Sequence, residues 1–163
     1  MQRFLRLLAL LLGALVLAGL AVAVVARLSD GPLGPFPGGP FHAVTEPGVP
    51  DPATVGALET VELEVDPTAP RSRHTWILTL DGALYVPAGL ASWKHWPSEA
   101  EADGRVRLRT AGHVWALQAV RVQDPELWGR LYSHLAAKYG LSPKRGALAE
   151  STWFFRLEPR GAS

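Results

Sequence analysis

The amino-acid sequence predicts a mainly β domain with helices packed outside it: six antiparallel strands curled into a barrel, one long helix and one short helix. Three observations predict this class. Apolar runs rich in strand formers are joined by two-residue turns containing glycine, a strictly alternating basic strand follows them, and a well-capped amphipathic helix lies near the end. A separate apolar stretch precedes the domain, so the 163 residues hold one domain plus an appendage.

The stretch 71–109 organises the domain. Thr75–Leu80 and Ala83–Val86 flank Asp81-Gly82, the dipeptide that a type I′ hairpin turn favours. Pro87 and Gly89 close the hairpin. Trp93 and Trp96, three residues apart, begin a short helix over Trp96–Ala102 that Asp103-Gly104 ends. Arg105–Arg109 alternates as a half-buried strand does, and it forms a second hairpin with His113–Val122 around Ala111-Gly112. In that last strand Val114, Ala116, Val120 and Val122 are expected on one face, with Gln118 its only polar member.

Upstream, Val61, Leu63 and Val65 alternate with Glu62 and Glu64, which reads as a strand with one wet face, followed by an Asp66–Pro70 turn. Downstream, Asp124-Pro125-Glu126 supplies a capping Asp, a proline at the first helical position and an acid in the first turn. Leu127, Trp128, Leu131, Tyr132, Leu135 and Tyr139 then fall on one stripe, and Gly140 stops the helix. A loop with Pro143 and Gly146 leads to a last strand, Thr152–Leu157, in which Trp153, Phe155 and Leu157 alternate with Thr152, Phe154 and Arg156.

Leu7 to Ala26 is twenty residues of Leu, Ala, Val and Gly. A bilayer core about 30 Å thick takes roughly 20 helical residues, so residues 1–28 read as a single transmembrane anchor. Arg3 and Arg6 precede the run and Arg27 follows it, a basic excess that predicts N-in and a domain on the extracytoplasmic side. Ala21-Val22-Ala23 resembles the cleavage site of a signal peptide, but the apolar run continues past it through Val24, Val25 and Ala26, which favours an uncleaved anchor.

Residues 29–54 read as a linker and 55–160 as the domain. Between Gly31 and Pro52 there are five glycines and seven prolines, so no regular helix or central strand is expected there. The segment should be extended and rather stiff. Leu33, Phe36 and Phe41 are more than a spacer requires, and they predict that part of it packs on the domain or lies at the membrane interface.

The net charge of +1 does not suggest a nucleic-acid partner. The absence of cysteine removes disulfides, thiolate metal sites, a cysteine nucleophile and a lipoprotein anchor. The five histidines show no H-x₃-H or HExxH spacing, so no metal site is expected. There is also no Gly-x-Ser-x-Gly elbow, P-loop or Rossmann glycine pattern.

Several pieces, in order, resemble a known family: Leu63-Glu64-Val65, Arg71-Ser72-Arg73, Asp81-Gly82 with Tyr85-Val86, Gly89, Trp93-Lys94-His95-Trp96, Asp103-Gly104-Arg105, Lys138-Tyr139-Gly140 and the closing Trp153–Arg160. Over roughly residues 58–160 the chain is similar to the split β-barrel flavin- and deazaflavin-dependent oxidoreductases, and most to their small nitroreductase-like bacterial members. It departs from them at Asp66–Pro70, where the family has a basic glycine turn whose amides approach an anionic cofactor, and in lacking the usual helix Asn. The resemblance implies FMN or a deazaflavin (F420), with Arg73 and His74 near its phosphate and Lys94 and Trp96 at the barrel mouth. It also implies a homodimer paired through its sheets.

Each of these residues has a plainer reading. Arg73 and Lys94 also suit a solvated surface, and Trp93 and Trp96 suit helix-to-barrel packing. Arg105, Arg107 and Arg109 share a face that Arg121 would join, either a wet outer face or a surface for anions or lipid headgroups. Two functions follow from different classes. One is a membrane-anchored oxidoreductase passing a hydride or electrons to a small acceptor. The other is a non-catalytic tethered binding module that has kept the barrel and lost the cofactor.

Overall fold

The computed structural model describes residues 2–142 and 146–160; Pro143, part of the predicted loop, lies outside them. Helix α1 (Gln2–Leu28) is followed by β1 (Thr45–Glu46), α2 (Pro52–Gly56), β2 (Thr60–Val65), β3 (Arg71–Trp76), β4 (Leu78–Leu80) and β5 (Ala83–Ala88). A 3₁₀ turn (Ala91–Trp93), α3 (His95–Ala102), β6 (Arg105–Thr110), β7 (His113–Arg121), α4 (Pro125–Tyr139), α5 (Ala147–Glu150) and β8 (Trp153–Pro159) complete the chain.

One sheet runs in the order β3-β2-β6-β7-β8-β5-β4, antiparallel at every step, with β1 added in parallel on β7. The predicted mainly β, curled antiparallel architecture is therefore the one observed. The expected Thr75–Leu80 strand is divided at Ile77, and its first half starts earlier, at Arg71. Because β3 and β4 lie at opposite ends of the sheet order yet join through one residue, the sheet must roll up on itself there.

Both predicted hairpin turns take the left-handed conformations that type I′ requires: Asp81 and Gly82 have φ of 51° and 73°, Ala111 and Gly112 of 49° and 81°. The interior of the rolled sheet holds Val61, Leu63 and Val65 of β2 with Leu84 and Val86 of β5, Val106 and Leu108 of β6, Leu117 of β7 and Phe155 of β8. Helix α4 builds a second core outside the sheet. Asp124 caps it by accepting from the Glu126 N–H (2.9 Å), and Gly140 ends it at φ 64°. Its Leu131, Tyr132 and Leu135 pack on Leu78, Tyr85 and Phe154. Phe154 and Phe155, neighbours on β8, thus fill different cores.

Two sequence readings need correction. On β7 the interior face is Trp115, Leu117 and Ala119, not the predicted valine face. Val120 is exposed, and Val114 is buried on the opposite side, where β1 pairs with it. The face of β2 expected to be wet is covered, and Glu64 is only 6% exposed.

Two stability predictions follow. Phe154→Ala should cost about 3–5 kcal/mol in urea unfolding, because it hollows the contact that holds α4 to the sheet. Between α3 and β6, the Arg105 side chain grips the Asp103 carboxylate (2.6 and 2.7 Å) and holds its pKa down to about 2, from an ordinary 3.8. A carboxylate with a depressed folded pKa stabilises fully above the unfolded value and loses that contribution as pH falls through the folded one. The melting-temperature gap between the wild type and Asp103→Asn should therefore be constant above about pH 4 and shrink towards pH 2.

Candidate functional site

The sheet does not close. The Phe154 carbonyl accepts from the Val122 N–H (2.8 Å), so the β8 backbone at that point addresses β7. Pro87, opposite Phe154, must then point its backbone away from β8, towards β3. Proline has no N–H to offer, so β5 cannot extend the ladder to β3. A seam is left between β3 and β5, and two hollows open along it.

The larger, of about 420 Å³, is bordered by Trp76, Leu90, Tyr132, Leu135 and Leu141, and its exposed lining is mostly apolar. The second, of about 290 Å³, is bordered by Arg73, Lys94 and Trp96 and by residues 34–37 of the glycine- and proline-rich segment. His74, Thr75, Pro87 and Lys94 border both, so the two hollows form one cleft with a greasy end and a cationic end.

The structure brings Arg73, His74, Lys94 and Trp96 together around the cationic end. Arg73 lies opposite Leu63 on the interior side of β3, its guanidinium 5.5 Å from the Trp96 ring centre, and its buried Nε has no hydrogen-bond partner among the described residues. Burial lowers its pKa; Glu99 nearby acts the other way. Lys94, at the start of α3, has its pKa lowered by burial first and by the Arg73 charge second. His74, one residue on, takes the outer face opposite Glu62. Trp96 is 4% exposed and packs on Phe155 (5.7 Å between rings), so it belongs to the core as well as to the cleft. Trp93 makes no helix-to-barrel contact of the expected kind: it is 86% exposed.

The arginine face is exposed at Arg105, but its cations are paired. Arg107 forks onto Glu64 (2.7 and 2.6 Å) and donates to the Phe41 carbonyl (2.6 Å), while Glu64 also accepts from the Phe41 N–H (2.6 Å). Arg109 pairs with Glu62 and with Asp30 (2.8 Å), and Phe41 is buried beneath the two guanidiniums. Arg105 is held by Asp103. Arg121 does not join this face as expected: it lies opposite Phe155, on the side of β7 that carries Leu117 and Ala119, and is held by Glu101 (2.6 Å) over the Trp153 ring. Residues 30–42 are thus strapped to the barrel. Ser72 fixes the strap further, through Gly38 pairing with its backbone and its hydroxyl donating to the Gly39 carbonyl (2.6 Å). Gly38 is required there, because a Cβ would collide with the Gly31 carbonyl. The strap carries the 34–37 wall of the cleft, a contribution the sequence hinted at only through Leu33, Phe36 and Phe41.

The turn between β2 and β3 is spoken for internally. The Asp66 carboxylate accepts from the Thr68 and Ala69 amides (3.1 and 3.2 Å) and the Thr68 hydroxyl (2.5 Å), and these bonds lower its pKa.

Arg107→Ala should leave the Glu64 carboxylate buried without its cation, costing about 3 kcal/mol. Limited proteolysis should then cut within 30–42 before it cuts the barrel. Resistance equal to the wild type would show that the strap is held elsewhere.

No family model matches the chain, and no curated protein matches it in sequence. Solved structures do resemble it. A candidate pyridoxamine 5′-phosphate oxidase from Listeria innocua superposes with a TM-score of 0.52 and 15% identity, over 66% of this chain and 88% of that one. A conserved hypothetical protein from Mycobacterium tuberculosis gives 0.52 and 15%, over 72% and 86%. An F420 reductase gives 0.47 and 14%, over 69% and 97%. The likeness to the first two is one of fold, and it agrees with the motif order: the domain is a split β-barrel carried behind a helix long and apolar enough to cross a membrane.

Proposed function

We propose that this domain binds a phosphate-bearing planar heteroaromatic of the flavin or deazaflavin class, held at a membrane by α1, and serves as an oxidoreductase towards a small acceptor. The observation that supports this is the two-ended cleft at the seam. A flavin needs cationic donors for its phosphate and a flat apolar wall for its ring, and the residues present fit both needs. The buried Nε of Arg73 lacks an acceptor among the described residues, and a phosphate oxygen would supply one. Arg73 offers forked donors and Lys94 a point charge at the junction of the hollows. Leu90, Leu135 and Leu141 would keep water from the ring.

When bound, the cofactor supplies the hydride or electron transfer; the protein binds it, orients it and excludes solvent. The basic residues at the start of α1, ahead of its apolar run, favour N-in, which puts the domain outside the cytoplasm and away from its reduced nicotinamide and deazaflavin pools. The acceptor and reductant then belong to that side of the membrane.

A second reading, a tethered binding module without cofactor, is favoured by Asp66. Its carboxylate occupies turn amides that would otherwise face an anion, and it adds a negative charge beside them.

The test uses the full chain in detergent micelles, titrated with FMN, FAD and F420 and followed by the visible absorbance band. A shifted band is expected for at least one of them. Reversing Arg73 and Lys94 to Glu together should weaken FMN by tenfold or more, roughly one charge-assisted contact in free energy, and leave riboflavin, which has no phosphate, unchanged. No band shift with any of the three, at an unchanged circular dichroism spectrum, favours the module.

A further inference from the structure

We propose that Trp76 is the stacking wall for the ring of the bound ligand. This rests on the flavin-class reading of the cleft and deepens it.

Trp76 ends β3 and borders the apolar hollow. One face of its indole is covered by Tyr139, with ring centres 4.4 Å apart and planes within 12°. It remains 40% exposed, so the rest of its surface meets the hollow and solvent. A large aromatic left this open at the mouth of an apolar cavity forgoes part of its own burial. A planar ligand laid on it would recover that area and continue the stack as a third layer.

The platform is also rigid. The Tyr139 hydroxyl accepts from the Ile77 N–H (3.1 Å) and lies within donating distance of the Glu59 and Ile77 carbonyls (2.5 and 2.9 Å). Lys138, next to it, donates to the Gly56, Leu58 and Ile77 carbonyls (2.7, 2.6 and 2.9 Å). The tyrosine that backs Trp76 is therefore held at its far end, and little ordering is left for binding to impose.

The other tryptophans near the cleft do not offer this. Trp96 is turned into the core against Phe155, and Trp93 borders neither hollow. Stacking needs exposed ring surface beside the hollow, and Trp76 borders the apolar hollow while 40% exposed.

The test compares the full-length wild type, Trp76→Leu, Trp76→Phe and Trp93→Leu, each titrated with FMN and with riboflavin. An electron-rich indole stacked on a flavin gives a long-wavelength charge-transfer tail. The wild type and Trp93→Leu should show it and both Trp76 variants should lose it. Trp76→Leu should weaken FMN and riboflavin alike, by roughly 3- to 10-fold, and Trp76→Phe by less. If Trp76→Leu does not fold, loss of the tail in Trp76→Phe decides the question alone. Wild-type affinity and an intact tail in folded Trp76 variants would remove Trp76 from the site while leaving the flavin reading in place. Failure of the wild type to bind any flavin would overturn both.

Discussion

The peptide at Ile77 constrains everything around it. Ile77 is fully buried and belongs to no strand, because the chain leaves β3 and enters β4 across it. Its N–H and carbonyl cannot be left unpaired in that position without a cost of about 1–3 kcal/mol each. Both are met by the end of α4, through the Tyr139 hydroxyl and the Lys138 ammonium. That one set of bonds fixes where the sheet breaks, docks the last turn of the long helix and aligns Tyr139 beneath Trp76. The Lys138-Tyr139-Gly140 run that resembles the family's sequence near its end is thus the clamp on the barrel's discontinuity, with Gly140 releasing the chain in a left-handed turn.

A second constraint acts from the other side. The strap 30–42 would have little reason to stay on a sheet if it offered only proline and glycine. It is held by contacts between residues far apart in sequence: the ion pair of Asp30 with Arg109, and hydrogen bonds from the Phe41 N–H to the Glu64 carboxylate and from Arg107 to the Phe41 carbonyl. The end of α1 joins the same assembly, with Ala26 buried and Arg27 donating to the Pro70 carbonyl (2.6 Å). The strap, the exit of the apolar helix and one wall of the cleft therefore form a continuous piece, and a force on α1 reaches the cationic end of the cleft through few residues.

The parts legible in the sequence were those with local chemistry. Asp81-Gly82 and Ala111-Gly112 announce positive φ, and Asp124-Pro125 and Gly140 mark both ends of α4. The unread parts depend on partners distant in the chain. Arg71–His74 carries no apolar alternation, and it is a strand because β2 and the strap pair with it. β7 carries apolar residues on both faces, Leu117 and Ala119 on one and the buried Val114 and exposed Val120 on the other, so alternation alone cannot give their parity. The four cleft residues were readable as a set through the order of motifs. Trp76 was not, because its exposure follows from the Ile77 break, and nothing in Thr75–Leu80 marks that residue as the place where the strand ends.

The contrast between the two groups of arginines sharpens the reading of the cleft. The guanidiniums of Arg105, Arg107 and Arg109 on the outer face, and that of Arg121 over Trp153, meet carboxylates, and three of the four lie near an aromatic ring. Arg73 is buried enough for its pKa to be lowered, it has Lys94 near it, and its Nε has no acceptor among the described residues. Burial without a partner is costly for a cation, and a neighbouring cation adds to that cost. The same two charges favour an anion entering the cleft, and they do so more strongly because the site is partly withdrawn from water. A fold that pairs those four arginines with carboxylates and leaves Arg73 and Lys94 facing a hollow is locally less stable there, which is the imbalance that binding a phosphate would correct.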